Sequence, residues 1–262
     1  MSDDVLLLDV TAGVATITLN RPNAANGIDL PLGKALMLAA IECDENPEVR
    51  AVVLTGAGKM FCAGGDLKSF AGFGDALPAK LKELTTYLHA ATSRFARMDA
   101  PLICAINGVA AGAGMSLAVS GEFAIAAESA KLTMAYTGAG LSPDGSSSFF
   151  LPRLIGLRRT QELMITNRRL SATEALEWGL LTKVVADEAL LEEAQALASQ
   201  LAQGPTRAYG QVKQLLATSF SETLETQLEL ESRGIAAMAG SLDGREGISA
   251  FVEKRAPKFR GR

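Results

Sequence analysis

The stretch PLICAINGVAAGAGMSL, residues 101–117, predicts a strand that leads through small residues into a buried helix. The apolar run Leu102–Ile106 has the length of a buried strand, and Met115–Val119 is typical of a buried helix. The glycines and alanines between them leave the backbone accessible, because few side chains stand in the way. The first N–H groups of such a helix lack partners within it and favour a negative oxygen. The pattern fits equally a packed strand–helix corner that binds no ligand.

A second glycine-rich turn, residues 56–67, follows the apolar run Ala51–Thr55, which is typical of a buried parallel strand. The turn contains neither GxxxxGK[ST] nor GxGxxG, so nucleotide hydrolysis and dinucleotide binding are disfavoured. Lys59 and Lys68 flank it and would suit a phosphate-bearing ligand. A flexible surface loop is the alternative, but the apolar residues within the turn favour burial.

Strand and helix patterns alternate along the chain, which indicates βαβ-type units in one large α/β domain or two smaller ones. Further strands are predicted at Val5–Val10, Val14–Leu19, Phe123–Ala127 and Leu180–Val185. Helices are predicted from Asp29 to about Cys43 and over residues 79–98, 157–166, 172–178, 187–202, 205–217, 221–239 and 244–255.

Composition excludes several classes of function. A net charge of −4 argues against nucleic acid or a membrane surface as the main partner. No apolar run reaches the ~18 residues needed to span a bilayer, and no signal-type apolar core follows the acidic N-terminus. Three cysteines without CxxC spacing fit a reduced, cytoplasmic setting. With a single histidine, a transition-metal site has almost no ligands available.

The helical tail after Asp187 contains much apolar surface and no predicted strand to cover it, so we expect it to pack on another subunit. Its last twelve residues carry five basic residues against one acid, Glu253. This local positive charge is either a solvated terminus or a clamp for an anionic ligand. The basic residues are Lys254, Arg255, Lys258, Arg260 and Arg262.

Three motifs coincide in a specific order: Asn20-Arg-Pro, Phe61-Cys-Ala-Gly-Gly-Asp-Leu67, and Ala105-Ile-Asn-Gly108 followed by Gly-Ala-Gly114. Together they closely resemble the enoyl-CoA hydratase/isomerase (crotonase) superfamily over nearly the whole chain. The resemblance implies an α/β fold, a spiral of ββα units with a C-terminal helical trimerisation region. It implies a core at residues 1–200 that contains the acyl-CoA site, an oligomerisation region at 201–262, and a homotrimer or hexamer.

The resemblance also implies a site for an acyl-CoA thioester. The two backbone N–H groups that would stabilise its enolate-like oxygen match Gly65 and Ala113. Coenzyme A is then part of the substrate, and no separate cofactor or metal is implied. The positions matched to coenzyme A binding, the last two near the nucleotide of the same or a neighbouring subunit, are Ala63, Gly64, Asp66, Leu67, Lys68, Phe251 and Lys254.

The sequence departs from the hydratases of this family at both catalytic glutamates, where Ser116 and Tyr136 stand and would contact substrate instead. Asp144 matches the single catalytic acid of Δ3,Δ2-enoyl-CoA and epoxyphenylacetyl-CoA isomerases, and also the nucleophile of 4-chlorobenzoyl-CoA dehalogenase. His89 matches the catalytic histidine of that dehalogenase and is a possible accessory residue. If Asp144 has no catalytic role, its side chain would simply cap the following helix, a role that Ser146–Ser148 could also fill.

The leading hypothesis is an isomerase that moves an enoyl-CoA double bond from Δ3 to Δ2, with Asp144 as acid and base. Burial beside Met134 and Phe149 would make this carboxylate more basic, and a helix N-terminus would oppose that effect. The alternatives are a hydratase in which Asp144 activates water alone, hydrolysis of an aryl-CoA as in 4-chlorobenzoyl-CoA dehalogenase, and a non-catalytic acyl-CoA binder. The acyl group itself has no readable code in the sequence.

Overall fold

The computed structural model describes residues 4–261. Within them, strands and α-helices alternate from the start of the chain to residue 185, and helices follow. The strands are β1 (Leu6–Thr11), β2 (Val14–Leu19), β3 (Ala51–Gly56), β4 (Met60–Cys62), β5 (Leu102–Ile106), β6 (Val109–Ala111), β7 (Phe123–Ala127), β8 (Lys131–Thr133), β9 (Leu170–Ser171) and β10 (Lys183–Val185). The α-helices are α1 (Leu30–Glu45), α2 (Leu67–Ala71), α3 (Leu77–Arg97), α4 (Ala113–Ala118), α5 (Ser147–Thr166), α6 (Ala172–Trp178), α7 (Leu190–Ala202), α8 (Thr206–Thr218), α9 (Leu224–Gly240) and α10 (Leu242–Glu253).

Successive strands divide between two sheets, which confirms the predicted spiral of ββα units. The larger sheet has the order β1-β2-β3-β5-β7-β10, and the smaller one has the order β4-β6-β8-β9. Only the outer pairs β1–β2 and β8–β9 are antiparallel within the described strands. Each pair β3/β4, β5/β6 and β7/β8 therefore contributes one strand to each sheet before the chain enters a helix.

The central strands β3 and β5 are buried along their whole length, which explains their continuous apolar sequences. On β3, the side chains of Val52 and Leu54 pack into the main hydrophobic core. The side chain of Val53 points to the other face of the sheet and packs into a second hydrophobic core. Helix α7 covers that second face with Ala194, Ala198 and other apolar residues. The larger sheet is thus packed on both sides, and its strand ends are held rigidly.

Three elements near the glycine-rich turns differ from the sequence prediction, and one of them, β4, lies inside the turn at residues 56–67. The turn after β5 contains a third short strand, β6, which pairs with β4 and β8. Three residues are too few to give a periodic pattern, and both partners are distant in sequence. Helix α5 begins at Ser147 rather than at 157, and it is interrupted at Gly156, whose φ of 76° and ψ of 160° are not helical.

The C-terminal helices are poorly covered within one chain. In α9 only Gly234 is buried, while Ile235 is 72% exposed. The basic end is partly neutralised, because Arg255 pairs with Glu246 and Glu253. Arg262 lies outside the described residues, and the division of the chain at residue 200 stays a prediction.

The three cysteines are free and buried. None of the helices described here has both the length and the apolar character needed to cross a membrane. Residues 4–261 contain no group of three or more His, Cys, Asp or Glu side chains that could hold a metal ion.

Candidate active site

The two glycine-rich turns lie directly against each other. Gly64 has a φ of +96°, and a Cβ added there would lie 2.8 Å from the Ala111 carbonyl oxygen and 3.3 Å from the Ala113 nitrogen. A side chain at this position would therefore combine an unfavourable backbone conformation with a clash. Glycine at position 64 allows the backbone after β4 to approach the start of α4.

This approach places two backbone N–H groups at one cavity. Gly65 forms an isolated parallel bridge with Ile28, in which Ile28 donates to the Gly64 carbonyl (2.7 Å) and Asp66 donates to the Ile28 carbonyl (3.0 Å). Because those bonds use the neighbours of Gly65, its own N–H points away from Ile28. Ala113 is the first residue of α4, so its N–H has no acceptor inside the helix. Such a pair of donors suits an oxygen that gains negative charge.

The cavity beside these donors has a volume of about 310 Å³. Apolar side chains from α2, α3 and the segment after β8 form most of its wall. Asp144 is the only acidic residue among the described lining residues. The lining residues are Ile28, Ala63, Gly65, Leu67, Phe70, Leu81, Lys82, Leu84, Thr85, Leu88, Gly112, Ala113, Ala135, Tyr136, Ala139, Leu141, Ser142 and Asp144.

Asp144 is held at both its main chain and its side chain. Its carbonyl oxygen accepts hydrogen bonds from Ser116 Oγ (2.8 Å) and Ser147 Oγ (3.0 Å). Its carboxylate Oδ1 accepts from the Tyr136 hydroxyl (2.5 Å), and the side chain is 27% exposed. The residue before α5, Ser146, makes no side-chain cap bond either. Among the described hydrogen bonds, no N–H of α5 donates to the Asp144 carboxylate, so the capping explanation of this residue is wrong.

Ser116 and Tyr136, which the sequence resemblance matches to the catalytic glutamates of hydratases, both contact Asp144. Ser116 is fully buried beneath the cavity and lies 3.2 Å from the Tyr136 hydroxyl. Tyr136 lines the cavity itself. Burial, followed by the charge of Asp144, raises the pKa of Tyr136 far above its usual value, so its hydroxyl stays protonated and can donate.

His89 on α3 lies at the edge of the site. Its Nε2 accepts a hydrogen bond from the Gly145 N–H at 3.3 Å and lies 4.0 Å from Asp144 Oδ2. The imidazole is about half exposed and borders a second, open groove that also contains Phe149. Phe149 therefore does not line the Asp144 cavity, and Met134 is fully buried without reaching it. The expected apolar surroundings of Asp144 come from α2 and α3 instead.

The residues matched to coenzyme A are only partly brought together. Ala63 and Leu67 line the cavity, whereas Lys68 is an exposed residue of α2 that does not. Phe251 is 85% exposed, and neither it nor Lys254 lines the cavity. The cavity wall formed by α3 could not be predicted from the sequence, because residues 81, 84 and 88 have the spacing of an ordinary core stripe.

The Asp66 carboxylate is occupied by the protein. It accepts from the Ser69 N–H (3.1 Å) and pairs with Arg21 Nη2 (3.0 Å). Burial acts to raise the pKa of Asp66, but the Ser69 hydrogen bond and the Arg21 guanidinium outweigh it, so the pKa lies below its usual value. The side chain thus begins α2. The backbone of Asp66 is occupied as well, because its N–H donates to the Ile28 carbonyl and its carbonyl accepts from the Phe70 N–H.

Comparison with known proteins matches nearly the whole chain to the family that the sequence motifs resemble. The sequence profile of the enoyl-CoA hydratase/isomerase family matches residues 9–262. The 1,2-epoxyphenylacetyl-CoA isomerase of Escherichia coli K12 is 41% identical over 262 residues, which cover 99% of both chains. The 4-chlorobenzoyl coenzyme A dehalogenase-2 of an Arthrobacter species is 34% identical over 254 residues, which cover 97% of this chain and 92% of that one.

A solved structure extends the match to three dimensions. The enoyl-CoA hydratase of Bacillus anthracis superposes with a TM-score of 0.92 at 35% identity, covering 98% of this chain and 100% of that one. The similar proteins include an isomerase, a dehalogenase and a hydratase, so membership of the family does not determine a single reaction. This chain belongs to the enoyl-CoA hydratase/isomerase family and is an acyl-CoA enzyme with the crotonase fold.

Proposed function

We propose that the protein is an enoyl-CoA isomerase that shifts a double bond from Δ3 to Δ2. The thioester oxygen would lie between the N–H groups of Gly65 and Ala113. Asp144 removes a proton from the α carbon, and the electrons of that C–H bond pass into a dienolate whose oxygen those N–H groups stabilise. Asp144 then returns the proton to the γ carbon. One carboxylate suffices, because it can serve as base and as acid in turn.

The observation that carries this proposal is the lone carboxylate in the cavity. Asp144 is the only acid among the described lining residues, and one of its oxygens already accepts from Tyr136. A hydratase must position a water and transfer two protons, for which the family's hydratases use two glutamates. Here hydroxyl groups stand at both positions. Proton transfer within the substrate needs no bound water, so it suits this residue set better than hydration does.

The same site is proposed to hold coenzyme A as part of the substrate, without a separate cofactor. Ala63 and Leu67 border the cavity, and Lys82 lies in its wall. Lys68 stands exposed on α2 nearby in sequence, where it can meet a phosphate. Within one chain, Phe251 and Lys254 are away from the cavity wall. Their exposed positions leave them free to contact the nucleotide of coenzyme A bound to a neighbouring subunit.

A second reaction is supported by His89. Its Nε2 lies 4.0 Å from Asp144 Oδ2, which is a suitable neighbourhood for a base that activates water. Hydrolysis of an aryl-CoA as in 4-chlorobenzoyl-CoA dehalogenase would use Asp144 as nucleophile. Its carboxylate bonds to the ring carbon, the carbon–halogen bond breaks and halide leaves. His89 then activates the water that hydrolyses the resulting aryl ester and frees Asp144. In the structure, however, His89 Nε2 accepts from the Gly145 N–H, so it would have to leave that partner first. We therefore rank this reaction below isomerisation.

One assay panel tests the proposal. Purified protein is offered a 3-enoyl-CoA, a 2-enoyl-CoA and a 4-halobenzoyl-CoA, and products are identified by mass and by the absorbance of the conjugated thioester. We expect turnover of the 3-enoyl-CoA to the 2-enoyl-CoA without added metal or cofactor. Hydration of the 2-enoyl-CoA or halide release at a higher rate would replace the isomerase by one of the alternatives. Binding of all three without turnover would indicate a non-catalytic acyl-CoA binder.

We further propose that the chain assembles into a homotrimer or a hexamer of two trimers. The support is the apolar surface that α9 and α10 leave uncovered in a single chain, including Leu228, Ile235 and Phe251. Large exposed apolar surfaces on soluble proteins commonly mark sites where another chain binds.

A further inference from the structure

The two residues that replace the hydratase glutamates form a hydrogen-bonded support under Asp144. Ser116 Oγ lies 2.8 Å from the Asp144 carbonyl oxygen and 3.2 Å from the Tyr136 hydroxyl. The Tyr136 hydroxyl in turn lies 2.5 Å from Asp144 Oδ1. At the two positions where hydratases have their catalytic glutamates, this protein thus has hydroxyl groups that contact Asp144.

The protons of this network can be assigned, because each hydroxyl has one to donate. Ser116 donates to the Asp144 carbonyl, its shortest contact, so its oxygen faces Tyr136 without a proton between them. Tyr136 then donates to Oδ1. Since the pKa of Tyr136 is raised, by burial first and by Asp144 second, this donor persists across the working range of pH. Oδ1 is therefore occupied.

The other carboxylate oxygen has a different environment. Oδ2 lies 4.0 Å from His89 Nε2, whose hydrogen bond is with the Gly145 N–H. The charged and titratable groups around the carboxylate among the described residues are Tyr136 and His89, with Lys82 farther along the cavity wall. None of the hydrogen bonds between described residues ends on Oδ2. It is the oxygen that remains available to the substrate.

We propose that Tyr136 and Ser116 are positioning residues that reserve Oδ2 of Asp144 for proton transfer, so that one oxygen both removes and returns the proton. The proposal rests on the isomerase function proposed above. The α C–H bond breaks, its proton goes to Oδ2 and its electrons go to the dienolate. The Oδ2–H bond then breaks, and the same proton forms the γ C–H bond. Because the hydrogen bond from Tyr136 to Oδ1 keeps the carboxyl group from rotating, the proton on Oδ2 stays facing the substrate and exchanges less with water.

The test compares Tyr136→Phe with Ser116→Ala and with the control Tyr87→Phe on α3, a tyrosine that does not line the cavity. The first readout needs no substrate. The carboxylate stretching bands of Asp144 are recorded by infrared spectroscopy at neutral pH, as the difference between each protein and its Asp144→Asn counterpart. The second readout is isomerisation of 3-enoyl-CoA in D₂O, with the pH profile, kcat, KM and the deuterium content of the γ carbon.

We expect Tyr136→Phe to shift the carboxylate stretching bands of Asp144, because Oδ1 loses the hydroxyl donor that lies 2.5 Å away. Its kcat should fall about tenfold to a hundredfold with a smaller change in KM, and γ deuterium should increase. Ser116→Ala should lower kcat less and leave these bands in place, since its bond is to the carbonyl. Tyr87→Phe should match the wild type, and thermal unfolding shows that each variant is folded.

The outcomes separate this inference from the function on which it rests. If the wild type isomerises and Tyr136→Phe changes neither the carboxylate bands nor the deuterium content, the positioning role is wrong. If the wild type does not isomerise but the bands move as expected, Tyr136 still positions Asp144 and the proposed reaction is wrong. A folded Tyr136→Phe protein whose Asp144 bands are those of the wild type overturns the inference whichever reaction is found.

Discussion

Asp144 acts in the proposed reaction through one ionised oxygen, and asparagine at this position keeps the size while removing the basicity. We expect Asp144→Asn to lower isomerase turnover by at least ~10²–10⁴, the usual contribution of a general base. Acyl-CoA affinity should change little, because the Gly65 and Ala113 N–H groups remain. Steady-state kinetics and calorimetry with a non-reacting acyl-CoA measure the two effects separately.

Asp75→Asn is the matched control, since Asp75 is an exposed aspartate before α3 that does not line the cavity. It should leave turnover and affinity unchanged. A folded Asp144→Asn protein that turns over 3-enoyl-CoA at the wild-type rate would end the assignment of this residue as the base.

The residues of the site that belong to recognisable motifs could be predicted from the sequence. The side chains that surround them could not. Asp144 and the two small-residue turns stand out in the sequence, and the structure places them at one cavity. The hydrogen bond from Tyr136 to Asp144 depends on how the segment after β8 folds back, which no periodicity encodes. Phe149 was assigned to the cavity by its nearness in sequence, but its side chain leaves α5 on another side.

At the level of elements, one guanidinium joins the starts of two helices beside the cavity. Arg21 Nη2 lies 2.9 Å from Asp29, which caps α1, and 3.0 Å from Asp66, which caps α2. Arg21 also donates to the Gly27 carbonyl. These side chains are mostly buried, so the ion pairs are screened less than pairs on the surface. The arrangement fixes the backbone on either side of Gly65.

Replacing this cation gives a pH-dependent loss of stability. We expect Arg21→Gln to lower the free energy of unfolding by about 1–3 kcal/mol at neutral pH, because two carboxylates lose their partner. The pKa of Asp66 is depressed below its ordinary 3.8, so its contribution is present above about pH 4 and is lost as the pH falls through the folded-state value.

Denaturant unfolding at several pH values measures this prediction. The difference between wild type and Arg21→Gln should be largest near neutrality and should shrink below about pH 4 as Asp66 protonates in both proteins. Lys80→Gln, which removes an exposed pair with Glu83, should cost less than about 1 kcal/mol. A difference between wild type and Arg21→Gln that grows as the pH falls would contradict this role of Arg21.

The predicted elements were reliable where a pattern is long and local. The strands around β3 and β5 and the helices from α6 onward agree within a few residues, because periodicity and burial act together there. Strand β6 and the start of α5 depend on distant pairing and on glycine conformations, so neither could be predicted from a local pattern. These two elements also border the active site, where local sequence preference is often subordinate to function.

At the scale of the whole molecule, the amount of uncovered apolar surface differs between the two ends of the chain. Strands β2 and β3 are buried between helices on both faces, whereas α9 presents large apolar residues to solvent along most of its length. At roughly 25 cal/mol for each Å² buried, covering such a helix favours association strongly. The proposed nucleotide contacts of Phe251 and Lys254 would also be completed by a second copy, which would link assembly to coenzyme A binding.

Charged residues on α9 should therefore break the assembly without unfolding the core. We expect the wild type to sediment at three or six times the 27.4 kDa of one chain at micromolar concentration, and Leu228→Lys combined with Ile235→Lys to shift it to monomer. Both side chains are more than half exposed in one chain, so the monomer itself loses little packing. Leu191→Lys on α7, a leucine of similar exposure, should keep the wild-type mass.

Acyl-CoA affinity should weaken in the α9 double variant, because the neighbouring Phe251 and Lys254 are lost from the site. A wild-type protein that sediments as a monomer would contradict the assembly, and a monomeric double variant with unchanged affinity would place the whole nucleotide site within one chain.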